Sequence, residues 1–219
     1  MLQKTARKFV DERSPLSRVR TFRDKGDPRA YSRDVWKEMA EMGWLGIHLP
    51  EAQGGINLGI ADLCLVLEAA GRQLMPEPLV EVLLLGAETL RSAGAKPHQL
   101  QRISTITGGD EILVLAHEES RSRYDRHRVE CRAEFKDNTY LLSGRKHQVL
   151  GGFGADTFLI TARSEGAKKD PEGYSLFLVP AETLTGVACI AYFLPLWGYA
   201  YHHIRVEALL LCKVVHNRL

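Results

Sequence analysis

From Glu118 to Arg128 the sequence reads EESRSRYDRHR, two adjacent carboxylates followed by four arginines and a histidine within Arg121–Arg128. Arginine forks match phosphate geometry, so this run is a candidate anion clamp; the alternative is a solvated loop between strands. Glu118-Glu119 reads equally as a carboxylate pair or as the exposed end of a strand. Other chemistries lack their residues. Gly151-Gly152-Phe153-Gly154 has neither GxGxxG spacing nor a helix after it, and there is no GxSxG or HExxH run. His202 and His203 are adjacent, so on a strand they point to opposite faces and cannot share a metal. Cys64, Cys131, Cys189 and Cys212 form no CxxC pair. That spacing argues against a zinc site and a disulfide framework, and for reduced, packing cysteines. No metal site is expected.

The 219 residues are enough for one large or two small domains, and 45% hydrophobic with 26% charged residues is ordinary globular composition. A net charge of +2 gives no nucleic-acid footprint. The longest apolar stretches, near Leu79–Ala87 and Ala208–Cys212, are too short to span a bilayer, so no membrane partner is expected. MLQKTARKFV has no apolar signal core, which implies a cytoplasmic protein, or one of the mitochondrial matrix in a eukaryote.

Positioning elements fall into two kinds. Leu2–Arg13, a helix capped by Ser32 and stopped at Gly43, Ile60–Leu74, Leu79–Ala93 and Pro97–Ile106 carry helical periodicity. Trp44 to Gly55 reads as a shaped loop, and Arg18–Arg29 as polar with a Gly26-Asp27-Pro28 turn. After Gly109 the period changes to two. Strand runs follow at Ile112–Ala116, Val129–Phe135, Tyr140–Leu142, Thr157–Ala162, Tyr174–Pro180, Val187–Tyr192 and Tyr201–Val206, separated by turns at Asp137-Asn138, Ser143-Gly144 and Gly151–Gly154. Leu209–Leu219 is ambiguous. The expected fold is α+β: an all-α domain over 1–109, then an antiparallel β-barrel over 110–219.

Certain motifs, in this order, resemble the acyl-CoA dehydrogenase family. They are Trp36, Met39-Ala40, Gly43-Trp44, Gly46, Pro50-Glu51 and Gly54-Gly55, then Glu68 with Ala70-Gly71-Arg72. Leu115-Ala116 with Glu118, Leu142-Ser143-Gly144 with Lys146, Ala155-Asp156 and Leu176–Val179 continue the resemblance, which covers roughly Trp36 to Val187. Ser122–Asp125, and the absence of the usual tryptophan, resemble the small-subunit branch of pimeloyl-CoA-type dehydrogenases.

The resemblance implies FAD-dependent α,β-desaturation of an acyl-CoA thioester, an oxidoreductase chemistry of fatty acid metabolism. It implies a glutamate base, hydride transfer to the flavin, and a thioester carbonyl polarised by hydrogen bonds. Partners implied are the acyl-CoA substrate, related subunits in a homo- or hetero-oligomer, and electron-transfer flavoprotein as a further candidate. FAD-contacting positions carry over to Ala116, His117, Ser122, Arg123, Gln148 and Leu150. Several depart from the family's pattern. His117 and Arg123 replace hydroxyl residues at the ring and the pyrophosphate, while Gln148 and Leu150 replace the tryptophan and threonine flanking the ring. The family's C-terminal helical bundle carries the base, and none of it falls before Leu219. The expectation is therefore a truncated chain, inactive alone and holding FAD weakly, with no catalytic residue of its own; the alternative is a non-catalytic subunit on a complete dehydrogenase.

Overall fold

The computed structural model describes residues 1–26, 29–137 and 139–184 with side chains, and the backbone of 192–193, 200–210 and 214–216. Six α-helices come first: α1 (Leu2–Arg13), α2 (Leu16–Lys25), α3 (Arg33–Glu41), α4 (Ile60–Arg72), α5 (Glu88–Ser92) and α6 (Pro97–Thr107). Among the described residues eight strands follow: β1 (Leu113–Ala116), β2 (Arg132–Lys136), β3 (Thr139–Leu150), β4 (Thr157–Arg163), β5 (Tyr174–Pro180), β6 (Tyr192–Phe193), β7 (Ala200–Leu210) and β8 (Val214–His216).

Local chemistry sets the helix ends. The Ser32 hydroxyl accepts the Val35 N–H at 3.4 Å, and Gly43 (φ 75°) takes the left-handed conformation that stops α3. Trp36, Met39, Leu45, Ile47, Leu63 and Val66 are fully buried and continuous with Leu113, Phe158, Ile160 and Phe177 of the sheet, so helices and strands share one core. Two polar clamps join helices to sheet, and a third ties α3 to the end of α6. Arg33 of α3 holds Asp156 bidentately, at 2.7 and 2.8 Å, and Asp156 also accepts the Ile112 N–H. Arg102 of α6 holds Glu111 and donates to the Thr157 hydroxyl at 2.7 Å. Lys37 donates to the Gly108 carbonyl at 2.7 Å.

The Leu79–Ala93 segment is not the uniform helix its periodicity predicts. Val80–Ala87 is π-helical and runs into α5. A Cβ at Gly86 would lie 2.3 Å from the Leu113 carbonyl oxygen, so only glycine lets this segment rest directly on β1. The sequence also concealed α2, whose polar residues bury no side chain fully. Asp27 and Pro28 of the expected turn lie outside the described residues, as does Asn138.

The antiparallel barrel is corrected to a mixed sheet. Strand order is β6-β7-β3-β2-β4-β5-β8, with β1 beside β4, and among the described residues the path does not close on itself. β1 runs parallel to β4 with Leu113 opposite Thr157, and β2 meets β4 in parallel at Arg132 and Arg163. The other pairs are antiparallel. Alternation of residue types marks a strand but not its direction. The strand that follows β1 in sequence is not its neighbour: the long 117–131 loop leads to β2, and β1 instead lies parallel to β4. Burial of every β4 residue matches this parallel setting. Ser143-Gly144 is not a turn but the middle of β3. A Cβ at Gly144 would come within 2.8 Å of Cys131, so the glycine serves close strand approach. Val187–Ile190, Cys189, Leu211–Cys212 and 217–219 lie outside the described residues, while 214–216 is strand.

Arg163, 1% exposed, makes no ion pair with a carboxylate among the described residues. It donates to the carbonyls of Val129 (3.0 Å), His127 (2.9 Å), Asp170 (3.0 Å) and Glu172 (2.7 Å), tying the loop before β2 to the loop before β5. Among the described residues, no helix is long and apolar enough to cross a membrane.

Candidate functional site

A cleft of about 460 Å³ opens where β1 ends against the π-helix and α5, lined among others by Leu84, Glu88, Leu115, His117, Arg126 and Thr161. Its polar core is a buried relay. Lys146 of β3 is fully buried and donates to Glu119 Oε1 at 2.6 Å, to the Thr161 hydroxyl at 3.0 Å and to the His117 carbonyl at 3.1 Å. The Glu119 carboxylate also accepts the N–H groups of Glu130 (2.8 Å) and Cys131 (3.0 Å), so this buried pair is well satisfied. Thr161 Oγ1 lies 3.1 Å from His117 Nδ1.

Lys146 can only donate, so the Thr161 hydroxyl oxygen accepts from it; with the hydroxyl proton given to His117 Nδ1, the imidazole would carry its own proton on Nε2. Burial, and then the Lys146 charge, hold its pKa below the ordinary histidine value, which keeps the ring neutral near pH 7. Glu88, on the opposite wall, is pulled below the usual carboxylate range by the Arg91 guanidinium. Its neighbour His48 is buried with neither ring nitrogen hydrogen-bonded and is also pushed down by burial.

The six expected cofactor positions do not converge. His117 lines the cleft, and Ala116 is buried beneath it at the end of β1. Ser122 is buried in its own turn, donating to the Glu118 carboxylate at 2.5 Å and accepting the Glu119 N–H at 3.2 Å. It is therefore committed inside the protein. Arg123 is exposed, and it and Tyr124 adopt left-handed φ of 43° and 69°. Among the described residues their N–H groups have no acceptor. Gln148 (φ 52°) sits exposed at an irregularity in β3, and neither it nor the half-buried Leu150 lines the cleft. The arginine run divides likewise. Arg128 pairs with Glu130 at 2.9 Å, whereas Arg121, Arg123 and Arg126 are exposed. Sequence reasoning did not find Lys146, Thr161 or Glu119 as a unit, because they come from three separate segments that only the sheet brings together. Glu118-Glu119 is neither a carboxylate pair nor an exposed end: each glutamate has its own partner.

For FAD, the fit is divided. A neutral imidazole in the cleft can hydrogen-bond a flavin ring, and the exposed arginines with two unpaired amides suit a pyrophosphate. Ser122, Gln148 and Leu150 supply no side-chain contact to that cleft. Among the described residues, no group of three or more His, Cys, Asp or Glu could hold a metal ion.

Known proteins resemble this chain on both counts, sequence and fold. It is 27% identical over 168 residues to the mitochondrial isobutyryl-CoA dehydrogenase of Dictyostelium discoideum, covering 76% of this chain and 40% of that protein. Among solved structures, a variant of the Tcur3481–Tcur3483 steroid ACAD matches with a TM-score of 0.78 at 27% identity, over 98% of this chain and 56% of that one. The ChsE4–ChsE5 complex from Mycobacterium tuberculosis matches with a TM-score of 0.75 at 25% identity, over 99% and 55%. The chain thus spans less than half the length of the curated relative and just over half of the solved ones. The model of the acyl-CoA dehydrogenase N-terminal domain matches residues 1–110, half of the chain, and with it the chain belongs to the acyl-CoA dehydrogenase family.

Proposed function

We propose that this chain forms the helical and sheet part of an FAD-dependent acyl-CoA dehydrogenase that introduces a double bond α,β to a thioester. Supporting this reading is one observation above the others: the Lys146–Thr161–His117 relay holds a neutral imidazole in a cleft beside the arginine loop. FAD would supply the hydride acceptor. His117 would hold the ring edge, and Arg121, Arg123 and the amides of Arg123 and Tyr124 would hold the phosphates. Among the described residues, the cleft offers a poor base. Glu88 is kept ionised by Arg91, and a carboxylate stabilised in that way has a weak pull on an α-proton. The base would come from a further helical segment, on this polypeptide or on a related subunit.

A second reading is that of a non-catalytic subunit within a mixed assembly. Two observations favour it: the withdrawal of Ser122, Gln148 and Leu150 from the cleft, and the likeness to the ChsE4–ChsE5 complex. One experiment separates the two. The purified chain is incubated with FAD, desalted and scanned in the visible. A retained flavin band in the wild type, lost in His117→Leu, supports the first reading. A colourless protein that co-purifies with a full-length dehydrogenase supports the second.

A further inference from the structure

Along β3 the turn after β1, the residues just before β2 and the loop before β5 enclose a polar recess of about 500 Å³, with no helix residue in its lining. No residue lines both this recess and the His117 cleft. Its acids are already matched. Glu119 is held by Lys146 and two backbone amides. Glu130 is held by Arg128 at 2.9 Å, with the Lys168 ammonium 3.5 Å from its other oxygen. Burial pushes the Cys131 thiol up to about 11, so that part of the wall adds no negative charge at pH 7.

Arg145 is not matched. It lines the recess, is exposed, and makes no hydrogen bond or ion pair among the described residues. The register of β3 with β7 sets the Arg205 position directly opposite it. Like charges at directly opposed positions destabilise a ladder, and an anion shared between them removes that cost. On the same ladder Glu207 stands one row along, opposite Ser143 and in the row of Arg132. Lys168 and the Ser120 hydroxyl are exposed at the recess, and His147, which also lines it, has a contact of its own. A guanidinium fork, an ammonium and a hydroxyl around one recess form a donor set for a tetrahedral oxyanion. A carboxylate, with two oxygens, would leave part of that set unused. We propose that this recess is a binding site for a phosphate group, held by Arg145 together with Lys168 and Ser120. The phosphate is free or carried on an ester, because all three donors are exposed. The site rests on no part of the flavin reading.

The full chain, in chloride at constant ionic strength, is titrated with inorganic phosphate, phenyl phosphate and acetate, followed by calorimetry and by the Arg145 Nε–H resonance. Saturable phosphate binding with a Kd of about 1 mM or tighter, and acetate at least about tenfold weaker, is the expected result. Phenyl phosphate bound at least as tightly as the inorganic ion identifies an esterified ligand, and weaker binding identifies the free ion. Arg145→Gln should weaken phosphate about tenfold or more, and Lys168→Gln about threefold or more. Arg132→Gln, on the same sheet but outside the recess, should have a much smaller effect, since exposed charges are screened beyond about 8 Å. Flavin retention should be the same in Arg145→Gln as in wild type, so failure here is distinct from failure of the flavin reading. The proposal is overturned if phosphate does not saturate by about 20 mM, or if acetate binds as tightly. It is equally overturned if Arg145→Gln leaves binding unchanged, or if Arg132→Gln weakens it as much.

Discussion

At the scale of single residues, Lys146 matters most to the cleft, because one ammonium serves Glu119, Thr161 and the His117 carbonyl together. Lys146→Met should destabilise the fold by about 3–5 kcal/mol, since it leaves a buried carboxylate without its countercharge. The same variant frees the Thr161 hydroxyl, so the ¹⁵N spectrum of His117 should move from one Nε2–H tautomer to a mixture. A purely structural lysine would leave that spectrum unmoved. The cysteines offer a simpler check. Burial pushes the Cys131 thiol up to about 11, whereas Cys64 is exposed. Iodoacetamide at pH 8 should therefore alkylate the Cys64 peptide in the native protein and spare Cys131 until denaturant is added. His117 and Ser122 were readable as candidate positions from the motif order alone. Their opposite fates were not, because nothing local in the sequence shows that Ser122 turns inward to Glu118.

At the scale of elements, the π-helix rests on β1, and together they wall the His117 cleft. Gly86→Ala would drive a methyl group into the Leu113 carbonyl, so the segment must lift off the strand. A loss of about 1–3 kcal/mol or more is expected in urea unfolding, together with weaker flavin retention, because the cleft is built on that contact. Helix existence was largely legible in the sequence: apolar spacing, the Ser32 cap and the Gly43 stop located α1, α3, α4 and α6 closely. α2 was hidden because seven of its ten residues are polar or charged, and its short Leu16, Val19, Phe22 stripe is not fully buried. β3 was underestimated for the opposite reason. Gly144 reads as a turn residue, yet it is demanded by the nearness of Cys131, just before the neighbouring strand β2, a contact no local pattern encodes. The family motifs survived these errors, since they depend on residue order rather than on element boundaries.

At the scale of the whole molecule, one core spans helices and sheet, so buried titrating groups on either side act on a single unfolding equilibrium. His48 and His117 both have folded pKa values below about 6.5, their unfolded value. The folded state then binds fewer protons, so their contribution is full above that pH and is lost as the pH falls through it. Glu81 acts in the other direction. Its raised folded pKa means that its contribution is greatest below about 4.3 and declines as the pH rises. Glu81→Gln should accordingly raise the Tm more at pH 7 than at pH 4, whereas wild type should lose Tm between pH 7 and pH 5; equal shifts at both pH values would count against the Glu81 assignment. Sheet direction, the feature least legible in the sequence, is also a property of this scale, set by how the 117–131 loop crosses the molecule. Arg163 has a kinetic consequence at this scale. One guanidinium closes the loops before β2 and before β5, so neither can open without releasing the other's carbonyls. In hydrogen exchange the two loops should behave as one cooperative unit, their amides losing protection in the same opening event, and proteases should find both cleavable together or neither.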